Sequence, residues 1–539
     1  MWNQVYAPLG GSLALSGLGA ALPIFVMLLL LAVLRTAAWK AALAGVLTAL
    51  FVAGVLYGMP WKLALNAALF GAAFGLFPIA WVVFWAIALY RLTVATGQFD
   101  IIRASIGGLT RDARLQALLI AFAFGAFIEG ASGFGTPVAV ASAMLAGLGF
   151  SAFNAAAICL IANTAPVAFG AIATPIVTLA SVTALPIGAL SAGVGRICAP
   201  VALFLPAYLM LVMGGRRALA AVWPAALVAG LCFGITQFLV SNFLGPYLTD
   251  ILSSFVAITG LVLLLRVWRP RDEQAADAAL GHAARGAATA TVLRAWTPYI
   301  LLVFFVLLWG YAPFKALLDT SSVGLPWHGL DGQIQRLPPA VAKPGPYAAK
   351  FNLNLLSASG TAVLFAYLCA ALALRVPLGR TLAIVAQTAR ELSLSILTMA
   401  LVLALAYLMN YCGATATLGL AFAATGVAFP FFSAYLGWLG TFLTGSDTST
   451  NALFGNLQVV TANRLDLSPA LMAASNSSGG VMGKMISLQS ISVAAAATGM
   501  AAQEESKLFR FTLKHSLLLA GIVGLIVLAY AYLVPAWSV

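Results

Sequence analysis

From residue 115 to residue 195 the chain carries one charged side chain, Glu129, and from 392 to 463 it carries one, Asp447. Each stands at a small-residue break in a long apolar run. The first break reads Glu129-Gly130-Ala131-Ser132-Gly133-Phe134-Gly135-Thr136-Pro137, the second Thr444-Gly445-Ser446-Asp447-Thr448-Ser449-Thr450-Asn451. An ionisable group at membrane depth costs about 2.5–3.5 kcal/mol on insertion scales, so it marks an ion, proton or substrate path. Carboxyl groups can carry protons, and Glu129 and Asp447 are the candidate proton-coupling residues. Glu129 has no cation near it in sequence and is expected to gain and lose a proton. Asp447 is expected to do the same, or to hold Lys484 or an ion. Lys484 and Arg196 are the basic residues of the apolar core. A lysine there can pair with a substrate carboxylate. The blander roles are helix caps for the two acids, a structural ion pair for Lys484, and tight packing beside Gly193 and Gly195 for Arg196.

The polar residues at the breaks extend this chemistry. Interrupted helices expose free N–H groups and the positive ends of helix dipoles, which suit a small anion. Hydroxyl and amide groups can bind both a carboxylate and a neighbouring alcohol. The candidate substrate-binding set is therefore Gly130, Ser132, Gly133, Gly135 and Thr136 at the first tip, with Asn163 and Thr164 from an interrupted helix beyond it. In the second half it is Ser446, Thr448, Ser449, Thr450 and Asn451 at the tip, with Asn476, Ser477, Ser478 and Lys484. No metal-ligating pattern is present. The five cysteines lack paired spacing, and the three histidines, His282, His328 and His515, fall in loops or at span edges.

The elements that must position these residues are membrane helices. The 539 residues are 63% hydrophobic and 8% charged, with a mean hydropathy of +1.03. That composition predicts an all-α polytopic membrane protein, and the continuous apolar runs argue against a β-barrel. Spans are expected near 12–34, 41–59, 65–90, 186–213, 219–243, 247–265, 298–316, 355–374, 386–411 and 515–536. No basic residue precedes Arg35, so the first run is read as a retained span rather than a leader. The net charge of +13 reflects basic loops at 35–40, 91–114, 214–217, 266–296, 375–390 and 507–514. Placing them in the cytoplasm puts both termini outside.

The chain divides into an N-terminal half, 1–265, a cytoplasmic linker, 266–297, and a C-terminal half, 298–539. The linker is polar and Ala-rich. A Pro-rich stretch, 317–352, is expected to be an irregular extracytoplasmic loop. The halves repeat. FIEGAS at 127–132 matches FLTGSD at 442–447, and NTAPVAFG at 163–170 matches NSSGGVMG at 476–483. In each half a short segment (98–109, 414–426) precedes an apolar–break–apolar unit (112–150, 429–463). A helix follows, interrupted at Asn163 in 153–182 and at Asn476 in 469–500. The units are expected to be re-entrant hairpins whose tips approach the midplane from opposite sides, buried in protein or wetted by a cavity. No nucleotide-binding loop occurs, so ATP is not the energy source.

FIEGASGFGTPVAVASAMLAGLGF (127–150), NTAPVAFG (163–170), GSDTSTNALF (445–454), GKMISLQSI (483–491) and LFRFTLKHSL (508–517) resemble the bacterial L-lactate permease family across essentially the whole chain. The resemblance implies a proton symporter of L-lactate, D-lactate and glycolate in the bacterial inner membrane, not an enzyme and without cofactors. It implies an architecture like the broader ion-transporter superfamily, with inverted repeats, hairpins and elevator motion. A homo-oligomer is left open. The motif residues carried over are 129–137, 163–166, 445–451 and Lys484. Ser132 and Thr136 stand where the family's first tip has alanines, and Leu488 where it has proline. If the two hydroxyls face the site, they favour a smaller or more polar 2-hydroxy acid. The alternatives are a sodium-coupled carboxylate carrier and a proton-translocating membrane subunit of an energy-converting enzyme.

Overall fold

The structure is a computed structural model that describes residues 1–133, 135–270, 289–341 and 343–537. Among them, 11 helices are long and apolar enough to cross a membrane. Leu13–Ala32 and Thr249–Val267 match expected spans, whereas Leu378–Cys412 and Ala502–Tyr532 contain theirs but begin earlier, running helical through the stretches expected as basic loops at 375–390 and 507–514. Ile187–Phe243 is two spans, because Gly214 and Gly215 leave helical geometry (Gly215 φ 67°, ψ −157°) beside Arg216 and Arg217. Most of the expected linker lies outside the described residues. The next helix, Thr289–Gly310, begins inside the stretch assigned to it.

Both ends of the chain lie on one face. A Cβ on Gly17 would meet Ala421, and the Tyr532 hydroxyl donates to the Val427 carbonyl (3.1 Å). Trp2–Asn3 pairs in parallel with Ile334 and Gln335. The loop at 317–352 is thus not irregular. Ile334–Arg336 also pairs with Gly345–Pro346, and Val323–Pro326 pairs with Lys350–Leu353. The exposed backbone satisfies itself in ladders that prolines keep short. Arg35 and Arg510 lie towards the opposite ends of the first and last helices.

The first hairpin descends through Ala113–Gln116, wider turns at Ala117–Phe124, and Gly125–Ala131, then returns as Thr136–Gly147. Of its first limb, Ala113–Ala131, 94% is buried, against 28% for Ala290–Gly310. Protein therefore surrounds it almost completely. Arg114, grouped with the loop cations by sequence, is buried at its base and paired with Asp112 (2.6 Å). The second hairpin is Phe429–Thr444 and Asp447–Arg464, turning at Gly445 (φ 73°). The hairpins start from opposite faces: Phe153, just after the first, packs on Phe511, whereas Val427, just before the second, meets Tyr532.

The first interrupted helix is as expected, with Ala152–Ala162 and Val167–Thr183 meeting at 66°. The second is not. Pro469–Lys484 runs unbroken through Asn476, and the interruption falls at 485–487, before Leu488–Thr498. Asn and Ser weaken helices when their side chains turn on their own backbone, and Gly weakens them through its extra backbone freedom. Here neighbouring elements hold the Asn476 and Ser477 side chains instead. The glycines let the second hairpin's backbone approach, since a Cβ on Gly479 or Gly483 would strike the Ala434 or Trp438 backbone. The helix ends after Lys484, and Ser487 caps the next half by accepting the Ser490 N–H (3.2 Å). The halves interleave, with Phe70 and Phe74 packed on Tyr407 (5.4 and 5.2 Å).

Candidate functional site

Both tips and both interrupted helices meet at one cavity of about 60 Å3. At roughly 10–15 Å3 per water it holds on the order of four to six waters, the bulk of an acid of two or three carbons. Its wall includes Glu129, Gly133 and Gly135 from the first tip, and Ser446, Asp447 and Thr448 from the second. Gly170, Ala171 and Pro175 come from the first interrupted helix, and Lys484, Gln489 and Ser490 from the second. The half-helices beginning at Thr136, Asp447 and Leu488 all start at or beside this wall, so their free N–H groups favour an anion there.

One ion pair crosses the cavity's edge. Lys484 Nζ donates to Glu129 Oε1 at 3.3 Å, and Glu129 is 2% exposed. Glu129 Oε2 is buried without a hydrogen-bond partner among the described residues. Of the partners left open by the sequence, Asp447 is not the one that Lys484 bonds here. The break lies after Lys484, so the lysine sits at the end of its half-helix, facing the first tip. Gly170 makes room, since a Cβ there would stand 2.5 Å from Glu129 Oε1. Asp447 is held instead by Ser477 (2.6 Å), Asn451 Nδ2 (3.4 Å) and Thr441 (3.5 Å). Asn451 also donates to the Pro175 carbonyl (3.1 Å) and accepts from Asn476 (2.9 Å), whose Oδ1 accepts from Gln458 (3.2 Å). This buried network ties the second tip to both interrupted helices.

The backbone opposite is strained. Ala171, Ile172 and Ala173 all take left-handed geometry (φ 46°, 54° and 60°). Each costs an L-residue roughly 1–2 kcal/mol. Such strain persists where surrounding contacts over-determine it, and it clusters at functional sites. The Thr174 hydroxyl to the Ala171 carbonyl (2.6 Å) and the Asn451 bond to Pro175 are two of those contacts.

Several sequence-based candidates point elsewhere. The Ser132 and Thr164 hydroxyls donate back to Ile128 and Ile161 carbonyls of their own helices (2.9 and 2.7 Å). Thr136 is half-buried and off the cavity wall. Neither hydroxyl peculiar to the first tip therefore touches the cavity. Thr450 bonds Ser446 and Thr441, and Ser449 gives its N–H to the Ser446 cap (3.2 Å). Asn163 and Thr164 border a tight gap on another side of Lys484. Gly130 packs against Asp250, and Ser478 is buried without a hydrogen-bond partner. Arg196 bonds Asn242 and the Trp537 carbonyl near the termini, away from the site.

Sequence reasoning missed Gly170, Gln489, Ser490 and Asp250. It also missed Gln237, whose amide donates to the Ala165 carbonyl in the first interruption (2.9 Å). Asp250 had a usable signal: between Arg217 and Arg266 it is the sole charged residue, the same signature as Glu129 and Asp447. Gln489 and Gly445 also line a second cavity of about 820 Å3 that includes Arg35, Thr36, Glu505 and Arg510. The small cavity thus adjoins a vestibule on the face opposite the termini.

The sequence profile of the family described as L-lactate permease matches residues 16–534. The glycolate permease GlcA of Escherichia coli K12 is 45% identical over 98% of both chains. The L-lactate permease of Bacillus subtilis 168 is 45% identical over 97% of both, and that of Escherichia coli K12 is 45% identical over the full length of both. Among solved structures, Neisseria gonorrhoeae MtrF, of a class of antimetabolite efflux pumps, aligns with a TM-score of 0.44 at 12% identity, covering 87% of this chain and 83% of that one. The Alcanivorax borkumensis YdaH transporter aligns with a TM-score of 0.36 at 14% identity, covering 84% and 88%.

Proposed function

The chain belongs to the L-lactate permease family, a family of multi-pass membrane transporters, and from that premise we propose that it imports L-lactate, D-lactate and glycolate by proton symport. The observation that carries the coupling is the buried Lys484–Glu129 pair on the cavity wall, with Glu129 Oε2 free. While Glu129 is ionised it occupies the ammonium. A proton on Oε2 neutralises Glu129 and releases Lys484 to the substrate carboxylate. Joint binding of a proton and a monoanion leaves the net charge of the site unchanged, whereas either alone leaves an uncompensated charge at membrane depth. N–H groups of the half-helix ends steady the carboxylate, and Thr448, Ser446 and Ser490 offer hydroxyls to the substrate's 2-hydroxyl. The network around Asp447 holds the second tip in place.

The same proposal places the vestibule face in the cytoplasm and both termini outside, in accord with its Arg35 and Arg510. It treats the halves as inverted repeats that move elevator-fashion, which suits hairpins starting from opposite faces. Uptake of labelled L-lactate into proteoliposomes tests it. Accumulation is expected to require an inward proton gradient and to ignore replacement of sodium by choline at constant pH. Glycolate should compete, and hydroxy acids too bulky for the cavity should not. Accumulation that follows sodium instead would replace the proton reading with the sodium-coupled one.

Gly170→Ala probes the pair without touching a charge. Its Cβ would also stand 3.0 Å from Glu129 Cγ, so the carboxylate must shift. Proton-driven uptake is expected to fall about tenfold, the effect of a misplacement worth ~1.4 kcal/mol. Gly188→Ala, where a Cβ meets nothing within 4 Å, serves as the control and should leave uptake unchanged. Equal uptake by the two variants would detach Gly170 from the site.

A further inference from the structure

The helix Thr249–Val267 brings a third carboxyl group to the first hairpin. Asp250 is 1% exposed, and among the described residues neither of its carboxylate oxygens has a hydrogen-bond partner. A Cβ on Gly130 would stand 2.7 Å from the Asp250 Cβ, so the hairpin backbone beside Glu129 rests directly on this residue. Of the four carboxylate oxygens on Glu129 and Asp250, Lys484 satisfies only Glu129 Oε1. A buried anion without hydrogen bonds or a cation in contact is strongly disfavoured, and neighbouring carboxylates repel each other. The arrangement is relieved when a proton resides on one of them.

The titratable groups near enough to act on Asp250 electrostatically are Glu129, from the first hairpin, and the Cys198 thiol, from the preceding span. Its position has a direction. The turn before Asp250 follows Asn242, which Arg196 links to Trp537, so it belongs to the face of the termini. The vestibule with Arg35 and Arg510 opens towards the other face. Asp250 therefore stands behind Glu129 as seen from the vestibule.

We infer that Asp250 is a proton-carrying group in series with Glu129, receiving protons from the face of the termini and passing them to the Glu129–Lys484 pair. This rests on the symport reading above. In the step, the O–H bond of the Asp250 carboxyl breaks as its proton passes to a water admitted between the two groups, and that water gives up another of its protons, forming an O–H bond at Glu129 Oε2. Asp250 is left as the carboxylate, and a proton from water on the terminal face restores it. The neutralised Glu129 then lets Lys484 go to the substrate.

The test compares Asp250→Asn and Asp250→Glu with the parent protein in proteoliposomes, measuring L-lactate counterflow, which moves no net proton, beside proton-driven accumulation across external pH. Asp250→Asn should keep counterflow within about twofold while losing most accumulation, and Asp250→Glu should restore it. The infrared spectrum of the parent protein should contain a protonated-carboxyl band that disappears in Asp250→Asn and shifts in Asp250→Glu. The band shift decides the matter if the Asn variant does not fold. Accumulation by Asp250→Asn at the parent level with an unmoved pH profile would overturn the inference. So would equal loss of counterflow and accumulation, or a carboxyl band indifferent to residue 250. Indifference of the parent protein itself to a proton gradient would remove the symport reading, and this inference with it.

Discussion

Glu129→Gln is expected to abolish uphill transport while sparing exchange. With an inward gradient of about one pH unit, a one-proton symporter can accumulate its substrate up to roughly tenfold, because that gradient is worth ~1.4 kcal/mol. The Gln variant cannot bind and release the coupling proton, so its accumulation ratio should fall to about one. Counterflow should survive. The introduced amide is neutral, as protonated Glu129 is, and it leaves the Lys484 ammonium permanently available to a carboxylate. The half-saturating concentration for exchange should therefore stay level or fall. The structural ground is the single 3.3 Å bond from Lys484 to a carboxylate whose second oxygen is unpartnered. A Gln variant that still accumulates lactate to the parent ratio would take Glu129 out of the coupling role.

Lys484→Met should be more damaging and differently so. Truncating one member of a buried, hydrogen-bonded charge pair typically costs about 2–5 kcal/mol, which here predicts a loss of roughly 30-fold to several thousand-fold in both counterflow and driven uptake. The methionine also leaves Glu129 facing no cation, a cost of about 3–5 kcal/mol unless the carboxyl takes up a proton. The thermal transition of the detergent-solubilised variant should fall accordingly. Adding Glu129→Gln to Lys484→Met removes that stranded carboxylate, so the double variant should recover thermal stability and still not transport. Normal counterflow by Lys484→Met would show that the substrate carboxylate is held by something else. A double variant no more stable than the single would show that the pair carries little of the local energy.

The helical spans were readable because apolar runs and basic loops obey the bilayer rather than the fold. Leu13–Ala32 and Thr249–Val267 fall where hydropathy put them. The tips were readable for a related reason: left-handed turns such as those at Gly133 and Gly445 need small residues, and a lone carboxyl at membrane depth is conspicuous. Asn476 misled because polar and small residues look alike in a helix break and in a helix packed against polar neighbours. Only the partners Asn451 and Gln458 distinguish the two cases. Ser132 and Thr164 misled in the same manner, since their hydroxyls had acceptors one turn back along their own helices.

The amino-acid order alone determined that this is a helical membrane protein with two acid-bearing, small-residue breaks in long apolar runs, because local composition sets both solvent and helix breaks. The pairing of Lys484 with Glu129 rather than Asp447, and the arrival of Asp250 behind Gly130, were decided only by the tertiary structure. Charge pairing at this depth depends on which side chains the packed backbones bring within a few ångströms. Positions 129, 250 and 484 are too far apart in the chain for any local pattern to express that.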